Sequence, residues 1–218
     1  MLKGEPTKYG TGITIYGDFH DLESLYDTMT TVAGPPEEQT ADGLLFMSMA
    51  YDLRKSWQGM RETFEENEGD WKITYKGFNM FWPDFLVLLK LIRQRVGWSG
   101  GDPNIQANIY QLESLAYKSL VTFDASAGKK IVKWIKETKI DFNPYLFQIL
   151  DQVRLDHLSE KNGKPRFKNL LGNMEPFNTS SADYKVILAH LRTEAKRMNC
   201  RVQDLRDPEN YEALGYKW

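Results

Sequence analysis

Two aspartates and a histidine lie close together near the start of the chain, in Asp18-Phe19-His20-Asp21. The residues before them, 11–16, alternate apolar and polar side chains, which predicts a β-strand, and a helix is predicted to follow. Carboxylates and imidazoles are ligands that catalytic metal ions take, so this turn is a candidate for metal-assisted hydrolysis. The alternative, which we favour, is that Asp18 or Asp21 caps the helix and His20 is a surface or packing residue.

The Asp18-x-His20 motif resembles the first metal-binding loop of the calcineurin-like phosphoesterases. Gly101-Asp102-Pro103-Asn104 and Gly172-Asn173-Met174-Glu175 resemble fragments of the next two motifs of that family. The resemblance implies a hydrolase with two metal ions. The chain departs from the family at Met174, which stands where the family has its catalytic histidine, and it contains no His-x-His motif.

A helix is predicted from about residue 44 to residue 66, because apolar side chains recur there at helical spacing. They are Phe46, Met49, Ala50, Leu53, Trp57, Met60 and Phe64. Arg54, Gln58 and Arg61 lie on the shoulder of this face, where a guanidinium is half-buried and needs a carboxylate or a phosphate. The pattern therefore predicts an anion-binding edge formed by these three residues.

Internal ion pairing is the alternative for the same edge, and we favour it. Asp18 and Asp21 supply acids at the N-terminus of the preceding helix, and Glu65 is a further candidate. A carboxylate can cap a helix with one oxygen and accept from arginine with the other. We therefore predict that Arg54 and Arg61 lie within reach of Asp18 and Asp21, and that this contact ties the first strand and helix to the second helix.

Two basic stretches occur in the second half of the chain. The predicted helix 125–139 carries Lys129, Lys130, Lys133 and Lys136 on one face. The polar segment 159–180, which is predicted to be a loop, carries Lys161, Lys164, Arg166 and Lys168 around Phe167. Basic residues interleaved with an aromatic residue can bind a nucleic-acid backbone or an acidic partner, and a solvated surface explains them equally well.

Composition narrows the classes of protein. The 218 residues are 41% hydrophobic and 13% aromatic, as in ordinary globular proteins. Residues 1–100 carry 10 Lys and Arg against 15 Asp and Glu, and residues 101–218 carry 18 against 15. So mild a balance argues against a dedicated nucleic-acid binder. The single cysteine, Cys200, favours a reducing cytoplasm, and no apolar run is long enough to cross a membrane.

The sequence contains no Walker loop, dinucleotide-binding glycine motif, nucleophile elbow or zinc-spaced pair of Cys or His. We therefore predict a soluble, cytoplasmic binding or interaction protein with no catalytic residues, no cofactor and no metal ion. The sequence does not identify the partner, predicts no association with a membrane, and leaves a homo-oligomer open. A metal-dependent hydrolase using the Asp18-x-His20 turn is the alternative function. A nucleic-acid-associated protein using the basic helix 129–136 is the second alternative.

Helices dominate the predicted fold. Strands are predicted at 11–16 and 70–78, and helix 83–96, which is apolar nearly all round, is predicted at the centre of the core. Other helix starts have proline after a capping residue, at Asp102-Pro103, Asn143-Pro144 and Asp207-Pro208. We predict an α+β fold, predominantly helical, with a small N-terminal sheet of two or three short strands. Residues 1–218 are expected to form a single compact domain.

Three further motifs lie mainly in the first hundred residues. They are Gly17-Asp18-x-x-Asp21-Leu22-x-x-Leu25-Tyr26, Tyr51-Asp52-Leu53-Arg54-x-x-x-Gln58-Gly59-x-Arg61-Glu62 and Phe81-Trp82-Pro83. Together they resemble a small family of uncharacterised bacterial proteins. The resemblance implies that the N-terminal turn and the Arg54–Arg61 helix belong to one unit, and it implies no activity or ligand.

Overall fold

A computed structural model describes residues 1–35, 40–68, 71–97, 102–140, 143–205 and 214–218. Within these ranges the chain is mainly helical and has one antiparallel sheet near its N-terminus, which confirms the α+β class. The helices pack on one face of the sheet and enclose a continuous apolar core.

The sheet has four strands in the described ranges, where two or three were predicted. They are β1 (Lys3–Pro6), β2 (Gly12–Gly17), β3 (Glu62–Glu68) and β4 (Trp71–Phe81). Their order is β1-β2-β4-β3, and each neighbouring pair is antiparallel. The register places Ile15 opposite Phe78, and both are buried against the helices. The predicted strand 11–16 is therefore confirmed as β2, and the predicted strand 70–78 is confirmed as β4 from residue 71, since residue 70 lies outside the described residues. Strands β1 and β3 extend the sheet at its two edges.

Helices make up most of the remaining described chain. They are α1 (Phe19–Ala33), α2 (Ala41–Trp57), α3 (Trp82–Val96), α4 (Pro103–Phe123), α5 (Ala125–Glu137), α6 (Leu146–Ser159), α7 (Lys164–Asn173) and α8 (Ala182–Met198). Eleven of the 15 residues of α3 are buried, so the prediction that this helix is central to the core is confirmed. The predicted cap at Asp102 is also confirmed, since its carboxylate accepts from the Asn104 amide at 2.7 Å.

The predicted helix 44–66 is wrong beyond Trp57, where α2 ends. Gly59 adopts φ +76°, and the Met60 amide donates to the Lys55 carbonyl at 2.9 Å, so the chain leaves the helix through a left-handed residue. The chain then enters β3 at Glu62. The signal that the sequence offered was Gly59, because a glycine just past a helix is its commonest left-handed stop.

The predicted loop 159–180 is also wrong, because it contains α7 and a short 3₁₀-helix at Glu175–Phe177. Phe167 packs in the core of the protein, and its polar neighbour Arg166 is only 2% exposed. Helix α6 begins at Leu146, three residues after the predicted cap Asn143, whose side chain accepts instead from the Tyr145 amide at 2.8 Å. The predicted helix start at 207–208 lies outside the described residues.

A buried polar knot joins the β1–β2 hairpin to α6 and α7. The Arg166 guanidinium donates to the Thr11 hydroxyl at 2.9 Å and to the carbonyls of Leu158 and Glu160 at 2.6 and 3.0 Å. The His157 Nε2 lies 3.2 Å from the Thr11 carbonyl and donates to it. The Arg166 cation lies beside the last carbonyls of α6 and so complements the dipole of that helix. This interaction explains why Arg166 is buried while the lysines of the same segment are exposed.

Candidate functional site

Aromatic side chains cluster where the start of α1 meets the end of α2. The ring centre of Trp57 lies 5.9 Å from that of Phe19 and 5.2 Å from that of Tyr26, with both pairs edge to face. This geometry is favourable for aromatic pairs. The last turn of α2 and the first turn of α1 therefore form one continuous region of the molecule.

Three large apolar side chains are exposed in this region. Phe19 is 50% exposed, Tyr51 is 48% exposed and Met60 is 59% exposed. The sequence pattern placed Met60 on a buried helix face, but α2 ends before it, so Met60 lies in the turn that follows and faces solvent. We call the following six residues the α1–α2 patch: Phe19, Tyr51, Arg54, Lys55, Trp57 and Met60.

Two cations lie beside two of the apolar members of the patch, Tyr51 and Met60. The Arg54 guanidinium carbon lies 5.5 Å from the centre of the Tyr51 ring, and the Lys55 Nζ lies 5.3 Å from it. Both distances are in the range of cation–π attraction. Lys55 Nζ also lies 3.4 Å from Met60 Sδ. Within the described ranges, neither Arg54 nor Lys55 forms an ion pair with a carboxylate.

The three residues that were predicted to form an anion-binding edge lie on successive parts of the chain, and not all on one helix. Arg54 is on α2, Gln58 follows its last residue, and Arg61 lies just before β3, with all three exposed. Arg61 donates through Nε and Nη2 to Asp52 Oδ1 at 3.1 and 2.8 Å. Of the two predicted arginines, Arg61 is therefore paired with Asp52, and Arg54 has no carboxylate partner within the described ranges.

The predicted contact between these arginines and the N-terminal aspartates is not formed in the described part of the chain. Asp18 and Asp21 instead form a capping box, in which the Asp18 carboxylate accepts from the Asp21 amide at 2.9 Å and the Asp21 carboxylate accepts from the Asp18 amide at 3.2 Å. Asp21 also pairs with the N-terminal ammonium of Met1 at 2.9 Å. The capping role that we favoured for the turn is confirmed.

The residues of the phosphoesterase-like motifs each have a different structural role. His20 is exposed, with its Nδ1 3.8 Å from a carboxylate oxygen of Glu23, and Met174 is buried in the core. Asp102 caps α4. In the ranges that the structure covers, no three His, Cys, Asp or Glu side chains lie close enough together to hold a metal ion.

The two basic stretches meet in space. Helices α5 and α7 are in contact, and Lys130 of α5 and Lys168 of α7 line one cleft of about 370 Å³. Arg166 does not reach this surface, because it is buried in the polar knot. Sequence reasoning noted each stretch separately, and the packing of α7 against α5 is what joins them.

A second, more apolar cleft of about 580 Å³ lies between α2, α3 and the start of α6. Its charged members are Arg95 and Asp42, whose Nη1 and Oδ2 atoms lie 2.8 Å apart. Since each neutralises the other, the described lining of this cleft is a mainly apolar wall with one internal ion pair.

Comparison with known proteins places the chain in a family. The model of a family described as a domain of unknown function, DUF6904, matches residues 2–218. The chain belongs to this family. The match extends well past the first hundred residues, to which the resemblance in the motifs was mainly confined. No curated protein and no solved structure matches this DUF6904 chain. None of its described helices has both the length and the apolar character needed to span a membrane.

Proposed function

We propose that this DUF6904 chain is a non-catalytic binding protein, and that its α1–α2 patch docks an acidic segment of another protein. The observation that carries the proposal is the pair Arg54 and Lys55, which lack a carboxylate partner within the described ranges and flank the exposed ring of Tyr51. An unpaired cation beside an exposed aromatic ring is complementary to a carboxylate next to an apolar side chain.

The composition of the patch supports a protein partner. Tyr, Trp, Arg and Met are enriched at protein interfaces, and Trp, Tyr and Arg supply most of their hot spots. Trp57 is half-buried and held by Phe19 and Tyr26, so it offers a rigid anchor whose ordering costs little entropy on binding. The flexible Met60 can adapt its shape to the partner.

The charges of the patch define the partner further. Arg54 and Lys55 lie in the last turn of α2, where they also complement the helix dipole. That local role accounts for positive charge at this end of the helix, but not for the exposed apolar side chains beside it. A partner segment with an Asp or Glu and one apolar anchor would complement both the positive charge and the exposed apolar side chains. Gln58, which is exposed and follows Trp57 in the chain, is a further hydrogen-bonding group at the patch.

Selection of random displayed peptides on the purified protein tests the proposal. We expect the selected peptides to combine acidic and apolar residues, and to lose at least about tenfold in affinity for R54E and Y51A, because truncated hot spots cost about 2 kcal/mol or more. The variants K185E and V186A are the matched controls, since both side chains are exposed on α8, far along the chain from the patch.

Two results would contradict the proposal. One is a selection that enriches no binding peptide, or only peptides without acidic residues. The other is a peptide that binds R54E and Y51A as tightly as the wild-type protein. Circular dichroism of each variant confirms its fold, and sedimentation of the wild-type protein shows whether a second copy occupies the patch instead.

A further inference from the structure

Six exposed lysines lie on α5, on α7 or just before α7, and two of them, Lys130 and Lys168, line the cleft between these helices. The six are Lys129, Lys130 and Lys133 on α5, and Lys161, Lys164 and Lys168 on or just before α7. Within the described ranges one of them, Lys133, has a carboxylate within ion-pair distance, at 3.8 Å from Glu137. The cluster therefore gathers charge that the protein itself leaves largely unneutralised. We call the cleft between α5 and α7, together with these six lysines, the basic cleft.

Asp124 is the acid that lies inside the basic cleft. Its carboxylate accepts from the amides of Ser126 and Ala127 at 3.1 and 3.0 Å, and thereby caps α5. The Ala127 hydrogen bond is the main cause that lowers the pKa of this carboxyl, and the positive charges of Lys168 and Lys164 contribute to the lowering. Because the Asp124 carboxylate occupies the amides of Ser126 and Ala127, these amides are not available to a phosphate, and we expect lysine side chains to hold an anion in the cleft.

Side-chain ammonium groups without a backbone cradle suit an extended polyanion better than a small phosphorylated ligand. Lys129 and Lys133, like Lys164 and Lys168, are four residues apart on a helix and so about 6 Å apart along its axis. This spacing is close to two steps of about 3.4 Å along one strand of duplex DNA. Each pair of lysines can therefore contact alternate phosphates of a regular backbone.

The surroundings of the cleft distinguish among polyanions. Single strands are bound by stacking bases on exposed aromatic rings, but Phe167 is buried and Trp134 is partly buried against the core. Membrane surfaces are bound by cations together with exposed apolar side chains, but Ile131 in the cleft is buried. We propose that the basic cleft binds the phosphate backbone of double-stranded nucleic acid, independently of sequence. This surface shares no residue with the α1–α2 patch. The mild net charge of the whole chain argued against nucleic-acid binding, but a net charge does not show where lysines gather locally.

Fluorescence anisotropy with a labelled DNA duplex of about 20 base pairs tests this site at salt concentrations between about 50 and 200 mM. Four phosphate contacts would weaken binding about 150-fold over that range, since the slope of log K against log salt is about −0.9 per contact. The double variant K130Q/K168Q is expected to bind at least about tenfold more weakly and to flatten the slope by about 1.8, because each lysine accounts for about 0.9. The control K185Q/K196Q removes the same charge from exposed positions of α8 and should leave the slope unchanged.

Several results would overturn the proposal. They are no detectable binding of the duplex at about 50 mM salt, equal losses in the two double variants, tighter binding of a single strand of the same length, and binding of phosphatidylserine vesicles without binding of the duplex. A duplex RNA arm shows which nucleic acid is preferred, because the phosphate chemistry is shared. All four substituted lysines are exposed, so circular dichroism and thermal unfolding are expected to match those of the wild-type protein.

Discussion

His157 should make the stability of this protein depend on pH. The ring is fully buried, and its Nε2 donates to the Thr11 carbonyl. Burial lowers the pKa of His157 from 6.5 to about 4, with the nearby Arg166 guanidinium acting in the same direction. The native protein therefore holds this imidazole neutral, whereas the unfolded chain protonates it near pH 6.5.

The direction in which stability changes with pH follows from the number of protons that each state binds. Between about pH 6.5 and pH 4 the unfolded state binds a proton at this residue and the native state does not, so stability falls as the pH is lowered. A depression of about 2.5 pKa units corresponds to about 3 kcal/mol when the pH is below both values. Between about pH 7.5 and pH 5, the loss attributable to His157 is about 2 kcal/mol.

Urea unfolding at about pH 7.5 and pH 5 measures this loss. The variant H157Q lacks the titrating ring, so its stability should fall about 2 kcal/mol less than that of the wild-type protein over this interval. H190Q is the control, because His190 is exposed, and it should retain the wild-type pH dependence. NMR titration of the histidine ring protons provides a second measurement if H157Q folds poorly. Identical pH dependence of H157Q and wild-type protein, or a His157 ring that titrates near pH 6.5, would refute the reasoning.

Two further substitutions test the described packing. R166M removes the guanidinium that joins the Thr11 hydroxyl to the end of α6 and leaves buried acceptors unpaired. It should lower the free energy of unfolding in urea by about 2–4 kcal/mol. The control R192M, at an exposed position, should lower it by less than about 0.5 kcal/mol. G59A forces an alanine to φ +76° and should destabilise by about 1–2 kcal/mol, while G172A, in a helix with open space around it, should stabilise by about 0.5–1 kcal/mol. Equal thermal midpoints for G59A and G172A would contradict the left-handed turn.

Local patterns predicted much of the fold. The alternation in β2, the continuous apolar run of α3 and the cap at Asp102 each depend on neighbours within a few residues, and each is found in the structure. The strand β3 was missed because Glu62–Glu68 is acidic and has one large apolar residue, Phe64. Its strand conformation comes from pairing with β4, so propensity alone argued against it.

The candidate surfaces were predicted less well, because exposure depends on where an element ends and what packs on it. Met60 became an exposed member of the patch when Gly59 ended α2. Arg166 has the same residue type and sequence neighbourhood as a surface cation, but it is buried because the end of α6 presents carbonyl acceptors to it. Neither outcome can be read from the spacing of the residues.

By itself, the sequence determined the α+β class, the central helix and the capping turn at Asp18 and Asp21, because periodicity and capping are short-range effects. Only the tertiary structure decided which charges are free. It paired Arg61 with Asp52, left Arg54 beside Tyr51, and brought the lysines of α5 and α7 to one cleft. The physical reason is that ion pairing and burial depend on distances between residues far apart in the chain, and those distances are set by how the helices pack.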